Sequence, residues 1–241
     1  VDWPTLRRAS LEVEARGFDA LWVMDHLAGS PMGGTSSLEC FTWLGALAEA
    51  TSRIHLGVLV ANTWNRRLGT LAVAAASVAE ISGRPFLLGI GAGAAPDTRW
   101  AGEHHAVGAD LHDDPVVRHR RVEQLLDLTD EMWHPDRGTH LATFPLPRPT
   151  PPRIVGANST GLAELAGRRA DGVNVAWGHP RRADFLLAAR RAAGDRPFIT
   201  TAWAAWSPDL LDPAHPTRMA MEHSELDRII LSANGEHGDF L

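Results

Sequence analysis

Gly17-Phe18-Asp19-Ala20-Leu21-Trp22-Val23-Met24-Asp25-His26 reads as a helix end, a short apolar run of β type, and a polar pair at the run's carboxyl tip. A short run that is apolar on both faces is how a parallel strand looks when helices cover its sheet. Parallel α/β proteins build their sites just outside the carboxyl ends of such strands. A histidine at that tip exchanges protons near neutral pH.

Working outward, strand-like and helix-like segments alternate. Leu6–Arg16 is predicted helical, with Leu6, Ala9, Val13 and Ala15 available for an inner face. Leu38–Thr51 is helical and leads into the apolar run Ile54–Val60. Gly69–Ile81 is an alanine-rich helix, followed by the buried strand Phe86–Ile90. Val116–Trp133 has the clearest helical period, through Val122, Leu125, Leu126, Thr129 and Trp133. Beyond it come a strand at Arg153–Gly156, a helix at Gly161–Arg169, a strand at Gly172–Val175 and a helix at Arg182–Ala193. Phe198–Ala204 and Arg228–Leu231 complete the strands. Repeated β-α units of this number point to an α/β fold, a (β/α)₈ TIM barrel more than an open sheet. Such a barrel starts with a strand and this sequence starts with a helix, so the first strand is expected to be absent from this numbering. The proline-rich stretch Phe144–Pro152 is a loop, because the alternation continues beyond it, and residues 1–241 are expected to form one domain.

Composition excludes several classes. All 23 basic residues are arginine, so a lysine Schiff base and a P-loop lysine are both ruled out as the chain stands. The net charge of −6 and the dispersed Arg-Arg pairs argue against a nucleic-acid partner. Cys40 is the only cysteine, which forbids an internal disulfide and fits a reducing, cytoplasmic compartment. No apolar run is long enough to span a membrane, and the sequence as it stands does not open with a signal peptide pattern.

Four stretches, in order, carry a resemblance. Gly17–His26 is similar to the first β/α unit of the bacterial luciferase-like superfamily of flavin and deazaflavin oxidoreductases. Ala48-Glu49-Ala50-Thr51-Ser52-Arg53-Ile54-His55-Leu56-Gly57 resembles its second helix and third strand. Ile81-Ser82-Gly83-Arg84-Pro85-Phe86-Leu87-Leu88-Gly89-Ile90-Gly91-Ala92-Gly93 resembles its fourth strand. Pro152–Asn158, followed by Ala170–Asn174, resembles its phosphate-binding half. Together they span nearly the whole chain.

The resemblance implies a cofactor ring across the barrel mouth, with His26 as the catalytic residue touching substrate or cofactor. By itself, Asp25-His26 also reads as a turn closed by side-chain hydrogen bonds. Asp25 is expected to orient the loop or a ring edge. The resemblance also implies a cis peptide at Leu59-Val60 supporting the ring from behind, with Asn62 near its polar edge. The family's proline after Arg66 is replaced by Leu68. Gly91-Ala92-Gly93 makes a poor dinucleotide fingerprint, since Ala94 stands where the third glycine belongs. It reads either as a glycine-lined turn that lets backbone approach a ring, or as a tight barrel turn with no ligand. Ala157-Asn158-Ser159-Thr160 precedes a helix, so its amides suit a phosphate, while an ordinary N-cap is the commoner use of such residues. Trp64 and Trp177 are candidate substrate walls. Glu103-His104-His105 is expected on a surface loop, and no metal set closes around it.

The resemblance implies coenzyme F-420, a deazaflavin that carries hydride only, or alternatively FMN. In sugar-phosphate dehydrogenases of the deazaflavin branch a glutamate follows the second turn glycine, and here the place holds Ala94. The expected function is therefore hydride transfer to or from a small organic substrate other than a sugar phosphate, with His26 managing the proton. The alternatives are an FMN-dependent monooxygenase, and a cofactor-free barrel acting as a partner subunit. A homodimer is expected from the family.

Overall fold

Apolar runs flanked by helices on both sides settle as interior strands, because their backbone groups pair with neighbours while both faces are covered. The computed structural model describes residues 2–233. Its elements are α1 (Trp3–Ala15), β1 (Ala20–Val23), α2 (Cys40–Ala50), β2 (His55–Asn62), α3 (Leu68–Ser82) and β3 (Phe86–Gly91). They continue with α4 (Gly102–Ala106), α5 (Pro115–Met132), β4 (Arg153–Gly156), α6 (Thr160–Arg169) and β5 (Gly172–Ala176). The last are α7 (Arg182–Ala193), β6 (Ile199–Ala205), α8 (Pro216–Glu222) and β7 (Arg228–Ser232).

The strands form one seven-stranded parallel sheet in simple chain order, β1 to β7. A sheet wound in one direction with helices in the crossovers curls into a barrel. β1 and β7 are its two edges, and they are drawn together where Arg228 Nε donates to Asp19 Oδ2 at 2.8 Å. The barrel expected from the sequence is the observed fold, nearly closed around seven strands. Along β2 the register with β3 slips between Val58 and Ala61, and the Leu59–Val60 peptide there is cis, at the position the resemblance implied.

Register sorts side chains between two faces. Leu88 and Ile90 of β3, Val155 of β4, Val173 and Val175 of β5 and Ala202 of β6 are buried beneath the helices. The alternate set, including Gly89, Gly156, Asn174, Thr201 and Trp203, faces the barrel interior. There Asn174 Nδ2 donates to Thr201 Oγ1 at 2.8 Å, satisfying both polar groups. α5 buries Val122, Leu125, Leu126 and Thr129, as its period predicts.

Two departures have physical causes. On α1 the fully buried residues are Ser10 and Glu14; of the expected apolar set Val13 packs half-buried on the core, Leu6 and Ala9 are half-buried and Ala15 is exposed. Ser10 Oγ donates to the Leu6 carbonyl, and one Glu14 oxygen accepts from the amides of Ser52, Arg53 and Ile54 at 2.6–2.9 Å. Burial pushes that carboxyl up, but the three amides and the Arg53 charge outweigh it and hold it below the usual glutamate value. Between β6 and β7 the proline-punctuated segment folds into a 3-10 turn, Pro208–Leu211, and α8. Each begins with a proline, where the absent N–H would have had no partner anyway.

Candidate active site

At the carboxyl tip of β1 the chain turns outward through Asp25 and His26. Asp25 is buried, and its carboxylate takes Arg66 in a two-toothed pair, both bonds 2.7 Å, together with the Asn62 amide at 2.8 Å. Its carbonyl accepts from Asn65 Nδ2 at 2.9 Å. Burial works against the Arg66 charge, but Asp25 and Glu39 together hold its guanidinium above the usual value. Asp25 thus ties the loop after β2 to the end of β1, and its oxygens are committed to protein. Beside it, burial pushes the Cys40 thiol well above its usual range, with Asp25 adding to the effect, so the sulfur is a neutral core group.

His26 has a different environment. Its Nδ1 lies 2.7 Å from Glu103 Oε1, and the other Glu103 oxygen accepts from the amides of Leu27 and Ala28 at 2.7 and 2.9 Å. A carboxylate so occupied only accepts, so His26 carries its proton on Nδ1. Nε2 has no protein partner among the described residues, and the side chain is 24% exposed. Trp100 stands beside the imidazole with ring centroids 5.6 Å apart. A histidine oriented on one nitrogen by a buried carboxylate, with the other open, is the arrangement that general acid–base chemistry needs.

Glu103 and His104 are buried on α4, which corrects the surface-loop expectation; of those three residues only His105 is exposed. His104 Nδ1 donates to the Trp100 carbonyl at 3.0 Å, and its Nε2 accepts from Asn62 Nδ2 at 2.7 Å. Asn62 Oδ1 takes the Trp64 amide at 3.0 Å, so the Asn62 side chain is fully engaged. Among the described residues no group of three or more His, Cys, Asp or Glu is arranged to hold a metal ion.

The floor of the mouth is built from glycines and Val60. A Cβ on Gly91 would come within 2.5 Å of the Val60 side chain, and one on Gly156 within 3.0 Å. The missing side chains let the Val60 isopropyl group sit against β3 and β4. Ala92 and Gly93 give their carbonyls to Trp64 Nε1 and Arg118 Nη1. Gly93, at φ +79°, has its open side covered by the Trp64 ring. Trp64 is itself held between His112, 4.5 Å away, and the Arg121 guanidinium, also 4.5 Å away. It braces the β3 turn through its bond to the Ala92 carbonyl.

At the carboxyl end of β4, Ala157 is buried and Asn158 exposed, while Ser159 caps α6 by accepting the Leu162 amide at 3.3 Å. The amides of Thr160 and Gly161 have no acceptor among the described residues, and Arg181 Nη2 donates to Thr160 Oγ1 at 3.0 Å. The cap and the anion-seeking helix start coexist. Trp177 lies past the end of β5 with the Arg182 guanidinium 3.9 Å from its ring centroid. It joins Trp203 in lining a cavity of about 690 Å³ at the ends of β5 and β6. Sequence reasoning missed Glu103 and Arg66 as site residues, and it ranked Trp203 below Trp177 among the strand-end tryptophans. Glu103 is 77 positions from His26, and nothing local distinguishes it from a surface acid.

A model of the luciferase-like monooxygenase family matches residues 1–200. The F420-dependent glucose-6-phosphate dehydrogenase of Microbacterium testaceum is 27% identical over 169 residues, 66% of this chain and 48% of that protein. The 5,10-methylenetetrahydromethanopterin reductase of Methanolobus tindarius is 27% identical over 182 residues, 75% of this chain and 52% of its own. The chain spans about half the length of these curated relatives. Among solved structures, an F420-dependent secondary alcohol dehydrogenase in complex with an F420-acetone adduct aligns with a TM-score of 0.73 at 16% identity. It covers 97% of this chain and 90% of that one. The EDTA monooxygenase of Chelativorans sp. BNC1 aligns at 0.67 with 21% identity, over 85% and 57% of the two chains. At these identities the structures speak to the fold alone.

Proposed function

Because the chain belongs to the luciferase-like monooxygenase family, we propose that it is an oxidoreductase that binds coenzyme F-420 across the barrel mouth and moves hydride between that ring and a small organic substrate. The observation that carries this reading is the His26–Glu103 pair, with one imidazole nitrogen anchored and the other open at a strand's carboxyl end. The residues present fit the cofactor. Gly91 and Gly156 place no side chain beside Val60 where a ring would lie, and the free amides of Thr160 and Gly161 with Arg181 suit a phosphate tail. When bound, the deazaflavin supplies two electrons as hydride at one ring carbon. The deazaflavin preference follows the F420-dependent enzymes among the curated relatives.

The chain's own part is the proton. With Nδ1–H held by Glu103, the Nε2 lone pair takes a proton from a substrate hydroxyl as hydride leaves carbon. In the reverse direction, protonated Nε2 gives that proton to the oxygen of the carbonyl being reduced. Asp25 acts one residue away, fixing the strand end through Arg66 and Asn62. Trp100 packs beside the imidazole.

His26→Ala lowers turnover by ~10²–10⁴-fold while leaving cofactor affinity nearly unchanged. The cofactor is tested by parallel fluorescence titrations with F-420 and FMN. Tight binding of F-420 alone supports the reading, and tight binding of FMN alone replaces it with flavin monooxygenase chemistry.

A further inference from the structure

The cavity at the ends of β5 and β6 has a character that the proton machinery does not explain. Ala176 and Trp203 are register partners, and the Trp177 amide donates to the Trp203 carbonyl at 2.7 Å, so the two indoles rise from adjacent, bonded positions. Leu210 and Met221 close the outer side. Both come from the segment between β6 and β7, where the 3-10 turn and α8 form. The cleft, open to solvent, has a volume of about 690 Å³, the size of a small-molecule site.

No arginine lines it, and its polar side chains are those of Ser207, Thr217, His179, His215 and Asp209. The nearby guanidiniums are committed elsewhere: Arg182 stacks on Trp177 and donates to its carbonyl, and Arg218 pairs with Glu222 and the Leu210 carbonyl. An anion placed here would lose its hydration, gain no permanently charged cation from the lining and sit near the Asp209 carboxylate. A flat, uncharged ring would bury apolar area against two indoles at no such cost.

We propose that this cavity is the substrate site and that it selects flat, uncharged ring compounds, excluding phosphorylated or sulfonated ones. As a statement about substrate, this rests on the oxidoreductase reading above; as a statement about which ligand the cavity accepts, it stands on the lining alone. The polar contact such a ligand needs comes from the Thr217 hydroxyl, which serves an oxygen without demanding charge, the Ser207 hydroxyl being held by Asp209.

The test is equilibrium dialysis of naphthol, naphthol sulfonate and a hexose phosphate against the full chain, without cofactor. Naphthol binds, and the two anions bind at least about tenfold more weakly, the cost of an uncompensated charge. Trp203→Ala weakens naphthol binding by about 30-fold, the loss expected of an aromatic anchor. Thr217→Arg, which adds a guanidinium to the lining, raises binding of the sulfonate. Equal binding of naphthol and its sulfonate overturns the proposal, as does no binding of naphthol, or an unchanged affinity in Trp203→Ala with circular dichroism as in the parent. F-420 quenching is measured on the same samples. Its loss with the naphthol results intact strikes the deazaflavin reading, while failed naphthol results with F-420 bound strike the cavity's assignment.

Discussion

Replacing Glu103 with glutamine separates the orientation of His26 from its presence. The carboxylate serves three donors, the amides of Leu27 and Ala28 and the His26 Nδ1–H, all within 2.7–2.9 Å. A glutamine there has one acceptor oxygen. The two fixed amides need it, since an unpaired buried amide costs about 1–3 kcal/mol. The glutamine NH₂ then faces His26, Nδ1 must accept, and the ring proton moves to Nε2. One charge-assisted hydrogen bond is lost at about 1.5–3 kcal/mol, which is roughly 10–150-fold in rate if it is all felt in the transition state. Because the open nitrogen also holds its proton in the wrong place, turnover falls by ~10²–10³-fold, just short of removing the imidazole. F-420 affinity stays within about twofold, since no cofactor-facing group is altered. Turnover is followed by deazaflavin absorbance, and the tautomer by nitrogen–proton correlation spectra of the imidazoles. Wild-type turnover together with a proton still on Nδ1 would refute the assignment of Glu103 as the positioning residue. Glu103→Ala leaves all three donors unpaired and lowers stability by about 3 kcal/mol, so glutamine is the informative variant.

Two further outcomes follow from the same geometry. Glu14→Ala orphans the amides of Ser52, Arg53 and Ile54 and destabilises the fold by about 3 kcal/mol in urea titrations; a change under about 1 kcal/mol would show that water replaces the carboxylate. Since the folded-state pKa of Glu14 lies below 4.5, its contribution is fully present above that pH and is lost as pH falls through the lowered value. The acid limb of the stability curve should therefore flatten in the variant. Asp25→Ala leaves the Arg66 guanidinium, 12% exposed, with only Glu39, and costs about 3–4 kcal/mol by the same assay. Turnover should drop with it, because the His26 loop loses its tie to β2; full activity at reduced stability would uncouple the two.

Strand and helix identity was legible because both depend on local pattern. Runs such as Phe86–Ile90 are apolar throughout, and Val122, Leu125, Leu126 and Thr129 recur on one helical face. The expected inner face of α1 was misjudged because Glu14 is buried by what it bonds, and those three amides lie on another segment. His26 was legible by position, as a titratable group at a strand's carboxyl tip. Asp25, expected to orient the loop or a ring edge, ties the loop after β2 through Arg66, and the Asn62 side chain bonds His104.

What the sequence alone determined is the order of β-α units and therefore the end of the barrel at which chemistry is possible, since all parallel strands point their carboxyl ends the same way. Only the tertiary structure decided which side chains converge there. Glu103 reaches His26 across 77 positions, Trp203 joins Trp177 through strand register, and Val60 settles on glycines of β3 and β4. Such partners are matched by distance in space, and hydrogen bonding and close packing act at a few ångströms whatever the separation along the chain.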